Sequence, residues 1–139
     1  MADDPQAPHA ALRKKLQLKL ETVLWTHPAE WSPEELAGDE TLRRGDLDSA
    51  DAAIAYVDSE DAVDAFMGAH AERLAEMRLV WLVYPKGNVA PINRDSLWRR
   101  LLAHGWRANS NVAFDAELSA IRARPLKPGE RAELRGRRQ

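Results

Sequence analysis

The run Leu79-Val80-Trp81-Leu82-Val83-Tyr84, closed by Pro85-Lys86-Gly87, decides the fold. Six consecutive residues offer no polar position, so the segment must be covered on both sides. A short, β-branched and aromatic run of this kind is the signature of a central strand in a parallel sheet. Pro85 lacks the N–H that a continuing ladder needs, and Gly87 permits a turn. A strand over 79–84 that stops at Pro85 is therefore expected.

Working outward, Ala52-Ala53-Ile54-Ala55-Tyr56-Val57 is apolar on both parities and bounded by Asp51 and Asp58, which reads as a second strand of the same type. Between the two, Asp58 or Ser59 supplies a helix cap, with Glu60 and Asp61 in the first turn where the helix dipole favours acids. Val63, Phe66, Met67, His70, Leu74 and Met77 recur at three and four and form one apolar stripe. After the turn, Asn93 caps a helix with Leu97, Trp98, Leu101 and Leu102 on its inner face and Gly105 as the residue after its end. Trp106 to Phe114 and Leu118 to Ala123 read as strands joined at Asp115-Ala116-Glu117, close enough to form a hairpin, with Pro125 as the stop.

Toward the N-terminus, Glu21 to Thr26 reads as a strand ended by His27-Pro28. Ser32-Pro33-Glu34-Glu35 carries a capping-box signature for a short helix reaching Gly38. Leu12, Leu16 and Leu20 at i, i+4 spacing suggest a further short helix. Strands alternating with helices imply right-handed crossovers. The expected fold is α/β, a Rossmann-like, mostly parallel open sheet with helices on both faces and a C-terminal antiparallel hairpin. Residues 1–10 read as a disordered arm, 11–125 as one α/β domain, and 126–139 as a flexible basic tail.

Composition bounds the function. The 139 residues are 45% hydrophobic and 30% charged, as in ordinary globular proteins. The absence of cysteine excludes a disulfide scaffold, a thiolate metal site and a cysteine nucleophile. The N-terminus has no secretory pattern, and no stretch approaches the roughly 20 apolar residues of a membrane span. A cytoplasmic protein with no membrane partner is the resulting expectation. Net charge is −2, but the charges are segregated: Glu30 to Glu76 is strongly acidic, with only Arg43, Arg44 and Arg73 as bases, whereas Arg122 to the end is strongly basic. Opposite patches allow homo-oligomer formation or weak polyanion contact.

The block from Asp51 to Pro125 resembles a bacterial family of uncharacterised proteins, domain of unknown function 3052. The matching residues are the Asp51–Val57 strand, the acid-capped helix, Leu79 to Lys86, Ile92-Asn93-Arg94-Asp95-Ser96-Leu97-Trp98, Gly105, and Val112-Ala113-Phe114-Asp115. Trp81-x-x-Tyr84-Pro85-Lys86 and Asn93 to Trp98 are the more specific segments. The strand ending at His27-Pro28 looks like the family's first. The chain departs from the pattern at Leu118, where the family has tryptophan, and at Gln17-Leu18-Lys19-Leu20, which replaces a glycine-containing segment. That family is itself similar to the C-terminal half of class I methyltransferases, with which it shares strand order. The resemblance implies a fold and no established activity.

In an open parallel sheet, ligands sit beyond the carboxyl ends of the strands. That rule brings His27, Asp58 and Lys86 to one edge, with Asn93 opening the next helix; these four are the ligand-binding candidates. With Lys86 as counter-charge and helix N-termini as donors, a small anion would fit. Methyl transfer is disfavoured, because the chain after Trp25-Thr26 reads His27-Pro28-Ala29-Glu30-Trp31 without the glycine that lets backbone approach S-adenosylmethionine. His9, His27, His70 and His104 lack metal-ligand spacing, and no serine has a partnered base in sequence, so no catalytic residue, metal or cofactor is assigned. Trp81 and Trp98 read as core, while Trp25, Trp31 and Trp106 stay open. Arg99, Arg100 and Arg107 near Trp98 raise an aromatic–basic nucleic-acid surface, which the leucine face shared by Trp98 argues against. The favoured reading is a non-enzymatic module, a degenerate methyltransferase relative, binding a small anionic ligand or a protein partner. The alternatives are an enzyme acting on an anionic molecule at the strand-end cluster and, more weakly, nucleic-acid binding through the tail.

Overall fold

A computed structural model describes residues 12, 14–19, 22–28, 30–31, 43–87 and 89–127. The helix expected from Ser32 to Gly38, the N-terminal arm of residues 1–10 and the tail beyond Lys127 lie outside the described residues. Among the described residues, six strands and two long helices follow one another. They are β1 (Val23–His27), β2 (Arg43–Arg44), β3 (Ala52–Tyr56), α1 (Glu60–Leu74), β4 (Leu79–Pro85), α2 (Arg94–Ala103), β5 (Trp106–Ala113) and β6 (Leu118–Pro125). One sheet runs in the order β2-β1-β3-β4-β6-β5. The first four strands are parallel, with Leu24 opposite Ala52 and Ala52 opposite Leu79. β6 inserts antiparallel between β4 and β5, so the hairpin joins the sheet through its second strand and leaves β5 at the edge.

All seven residues of β4 are buried. Val80, Leu82 and Tyr84 face one core cluster; Leu79, Trp81 and Val83 face another. The two clusters explain why the strand shows no polar alternation. The first lies under α1 and α2, which sit on the same side of the sheet and contribute Val63, Phe66, Met67, Leu74, Leu97 and Leu101. The second is closed by Leu12, Leu16 and Leu18 from the N-terminal segment. That segment is helical at Leu12, Lys14 and Lys15 and turns at Leu16 and Gln17, where Gln17 adopts φ 62°; the helix therefore stops before Leu18.

The caps follow their residue types. Ser59 Oγ accepts from the Ala62 N–H at 3.0 Å, so Ser59 rather than Asp58 starts α1. Asn93 and Ser96 form a reciprocal capping box at α2. Gly105, at φ 79°, follows the end of α2 in a conformation that suits glycine. One strand was not foreseen, and the core readings of Trp98 and Leu102 are corrected. That strand is β2: its two exposed residues are held to the sheet edge by backbone bonds, Arg43 N–H to Thr22 O and Gly45 N–H to Leu24 O, both 3.0 Å. Trp106 is core, whereas Trp98 is only half-buried, because α2 turns that side of its leucine face toward the rim of the sheet. Leu102 is likewise half-buried.

Candidate functional site

Parallel pairing carries the carboxyl ends of β1, β3 and β4 to one edge of the sheet. β1 and β3 are neighbours, yet the strand after β1 lies on one side of the pair and the strand after β3 on the other. The gap between their ends is thus a topological switch point, where an open α/β sheet leaves a crevice. A cavity of about 540 Å³ occupies that position. His27 and Pro28 enter it from β1, Glu30 and Trp31 from the chain that follows, Tyr56 and Asp58 from the end of β3, and Ala62 and Ala65 from the first turns of α1.

The alanines of α1 keep this side of the cavity open. Its aromatic wall is Trp31 against Tyr56, ring centroids 5.7 Å apart and 29° from parallel, with Phe114 tilted behind Trp31 at 6.3 Å. On the other side His27 belongs to a second aromatic group. Its ring lies 5.4 Å from Trp25, 5.1 Å from Phe66 and 5.5 Å from His70. Burial, aided by His70 and partly offset by Glu30, lowers the His27 pKa below the usual histidine value. Its imidazole is therefore neutral at neutral pH and can both donate and accept a hydrogen bond. The Tyr56 phenol is pushed up by burial and by the Asp58 carboxylate, so it stays protonated and can donate. A neutral imidazole, a phenol and the carboxylates of Glu30 and Asp58 form the polar side of an otherwise apolar crevice.

Of the four residues expected to converge, His27 and Asp58 do share this cavity. Lys86 and Asn93 are not among its lining residues. Lys86 follows β4 and its backbone N–H donates to Glu117 O at 3.0 Å. Asn93 Oδ1 accepts from the Ser96 N–H at 2.9 Å, so its side chain is occupied with the helix cap. Glu30, Trp31 and Tyr56 were missed. Tyr56 was visible as the last strand residue before Asp58, but the return of Trp31 onto it depends on a loop path that no periodicity encodes. Among the described residues, no group of three His, Asp or Glu side chains is placed to hold a metal ion. No helix among them is long and apolar enough to cross a membrane.

No family model matches the chain, and no curated protein matches it in sequence. Solved structures do match. A protein of the NADB-Rossmann superfamily from Streptococcus agalactiae aligns with TM-score 0.50 at 8% identity, covering 82% of this chain and 67% of that one. A candidate tRNA (m1A22) methyltransferase from Streptococcus pneumoniae aligns at 0.50 and 11% identity, covering 78% and 65%. The same protein in complex with S-adenosyl-L-methionine gives 0.51 at 11% identity, covering 83% and 72%. The chain thus spans about two thirds of the length of these structures. At such identities the likeness establishes the fold, a Rossmann-like α/β sheet, and leaves the chemistry to the residues of this chain.

Proposed function

We propose that the protein is a non-enzymatic Rossmann-like module that binds a small molecule in the crevice between the ends of β1 and β3. The observation that carries this reading is the cavity of about 540 Å³ at the switch point, with the Trp31–Tyr56 pair on one wall. Its size falls in the usual range for small-molecule sites, roughly 300–1,000 Å³. The ligand is a flat, largely apolar body bearing hydroxyl or amino donors for Asp58, Glu30 and His27. Two carboxylates and a neutral histidine favour a neutral or cationic molecule over the anion expected from sequence, since Lys86 supplies no counter-charge to this wall.

Two features speak against methyl transfer. The chain leaves β1 through His27-Pro28 into packed aromatic rings, where a glycine-rich turn would have to pass close to the cofactor. β2 ends level with Leu24, three residues before the end of β1. An acid after it lies ~10 Å short of the carboxyl edge, given the rise per strand residue. The ribose-binding carboxylate of that cofactor's usual site therefore has no counterpart from β2.

Thermal shift and calorimetry with adenosine, as a neutral flat probe with hydroxyl donors, and with S-adenosylmethionine test the reading. Adenosine is expected to raise the melting temperature of the wild type, and Trp31→Ala and Asp58→Asn to abolish the shift. A several-degree shift with S-adenosylmethionine that survives Trp31→Ala overturns the reading, as does a wild type that responds to neither probe.

A further inference from the structure

The crevice between β1 and β3 has a charge as well as a shape, and the charge narrows what it can hold. Among the described residues its lining carries two carboxylates, Glu30 and Asp58, and no lysine or arginine. A second cavity, between α2 and the β5–β6 hairpin, is by contrast lined by Arg94, Arg107 and Arg124. Glu30 comes from the chain after β1 and Asp58 from the end of β3, so the fold rather than a local acidic run brings the two to one opening. Both are exposed, and neither has an ion-pair partner among the described residues.

Two titratable groups in the wall report the resulting field. Asp58 adds to burial in raising the pKa of the Tyr56 phenol, and Glu30 opposes the lowering of His27 by burial and by His70. Each carboxylate thus projects negative potential onto the wall that a ligand touches. The amino end of α1 would by itself favour an anion. That end is compensated from within the helix: Ser59 Oγ accepts from the Ala62 N–H, and Glu60 and Asp61 stand in the first turn.

The aromatic wall suits the same charge. Trp31 and Tyr56 both line the cavity, and the face of an aromatic ring, indole above all, attracts a cation within about 6 Å of its centroid. Trp31 is packed against Tyr56 and Phe114, so little side-chain freedom remains to be lost on binding. Ala62 and Ala65 offer apolar surface and no side-chain hydrogen bond. A bare metal ion finds no set of three His, Asp or Glu ligands among the described residues. A cation with apolar substituents uses both the carboxylates and the rings.

We infer that the ligand of this crevice is a small organic cation, a quaternary or protonated amine on an apolar body, held by the Trp31–Tyr56 wall and the carboxylates of Glu30 and Asp58. This rests on the reading of the cavity as a small-molecule site and adds the sign of the ligand's charge. The carboxylates at the opening draw the cation in. The rings then hold it, where a neutral molecule of the same shape gains only burial.

Calorimetry at low ionic strength with a matched pair tests this. The probes are 3-hydroxyphenyltrimethylammonium and 3-tert-butylphenol, which share a shape and differ in charge. The cation is expected to bind about tenfold more tightly than its neutral twin. Added salt should weaken the cation alone. The double variant Glu30→Gln, Asp58→Asn should bring the two affinities together; if it folds poorly, each single substitution at these exposed positions should still reduce the preference. Trp31→Phe, a weaker cation acceptor, should cost the cation severalfold and its twin less. If adenosine raises the melting temperature but the cation binds no better than its twin, or its preference survives the double variant, the small-molecule reading stands and the inference of charge is overturned. If adenosine, the cation and its twin all fail to bind, both fall.

Discussion

The indole N–H of Trp81 donates to the carbonyl oxygen of Leu16 across 3.0 Å, joining the central strand to the N-terminal segment sixty-five residues earlier. Both residues are buried, at 1% and 0% exposure. Gln17, in its left-handed conformation, turns the chain directly after that carbonyl. The bond is therefore what satisfies a buried acceptor left behind by a helix that ends early. Trp81→Phe keeps most of the apolar surface and removes the donor. It should destabilise the fold by about 1–3 kcal/mol, the cost of leaving a buried partner unsatisfied. Urea unfolding at neutral pH checks this, and an unchanged midpoint would show that the contact contributes nothing.

A second prediction concerns the alanines of β3. Ala53 and Ala55 are fully buried in the cluster that holds Val63, Phe66 and Met67 of α1. Their small side chains allow the helix to lie close to the sheet. Ala55→Leu adds volume where the neighbours have no room to move. It should cost about 1–3 kcal/mol, typical of overpacking. A guanidinium melt of the variant measures it; a neutral result would mean that α1 can shift outward without loss.

These two residues also mark what could and could not be read from the sequence. The uninterrupted apolar runs of β3 and β4 announced strands covered on both faces, and the two core clusters are the physical reason. α1 and α2 were legible through Ser59 and Asn93, because capping chemistry is local. β2 was not, since Arg43 and Arg44 join the sheet through backbone bonds and carry no side-chain pattern. His27 and Asp58 followed from strand order alone. Trp31 did not, because its packing on Tyr56 is set by a loop rather than by a period. Asn93 was rightly seen as a cap, and that cap occupies the side chain. The pairing of Arg107 with Arg124 was hidden because it is set by register: they are seventeen residues apart in sequence and directly opposite in the sheet.

Tyr56 gives a spectroscopic test of the first cavity. Its phenol is held above the ordinary tyrosine value by burial first and by Asp58 second. Asp58→Asn removes the nearby charge and leaves the burial, so the phenol should ionise at lower pH than in wild type, while remaining above the free value. Ultraviolet difference absorbance in a Tyr84→Phe background isolates Tyr56, because the chain holds only two tyrosines. An identical titration with and without Asp58 would separate the two residues electrostatically and remove the carboxylate from the polar wall.

The last prediction is a stability profile with two acid limbs. His27 has a folded pKa below the ordinary 6.5, because of its burial and then of His70. Below 6.5 the unfolded chain takes up a proton that the folded state excludes, so the unfolded state binds more protons there. The contribution of His27 is fully present above that pH and is lost as pH falls from 6.5 through the folded value. Asp64 acts in a lower window. His104 Nε2 lies 3.0 Å from its carboxylate and Arg100 grips it in a fork at 2.8 and 2.9 Å, and these hydrogen bonds lower its pKa. Its contribution is present above the ordinary carboxylate value and disappears as pH falls through the lowered one. Urea unfolding across about pH 8 to 3 should therefore show a first decline near the histidine range and a second in the carboxylate range. His27→Gln should flatten the first and spare the second. Asp64→Asn should do the reverse, since it ties α1 to α2 and is not part of the aromatic group around His27. A His27→Gln profile that declines like wild type in the upper window would assign that limb to another group.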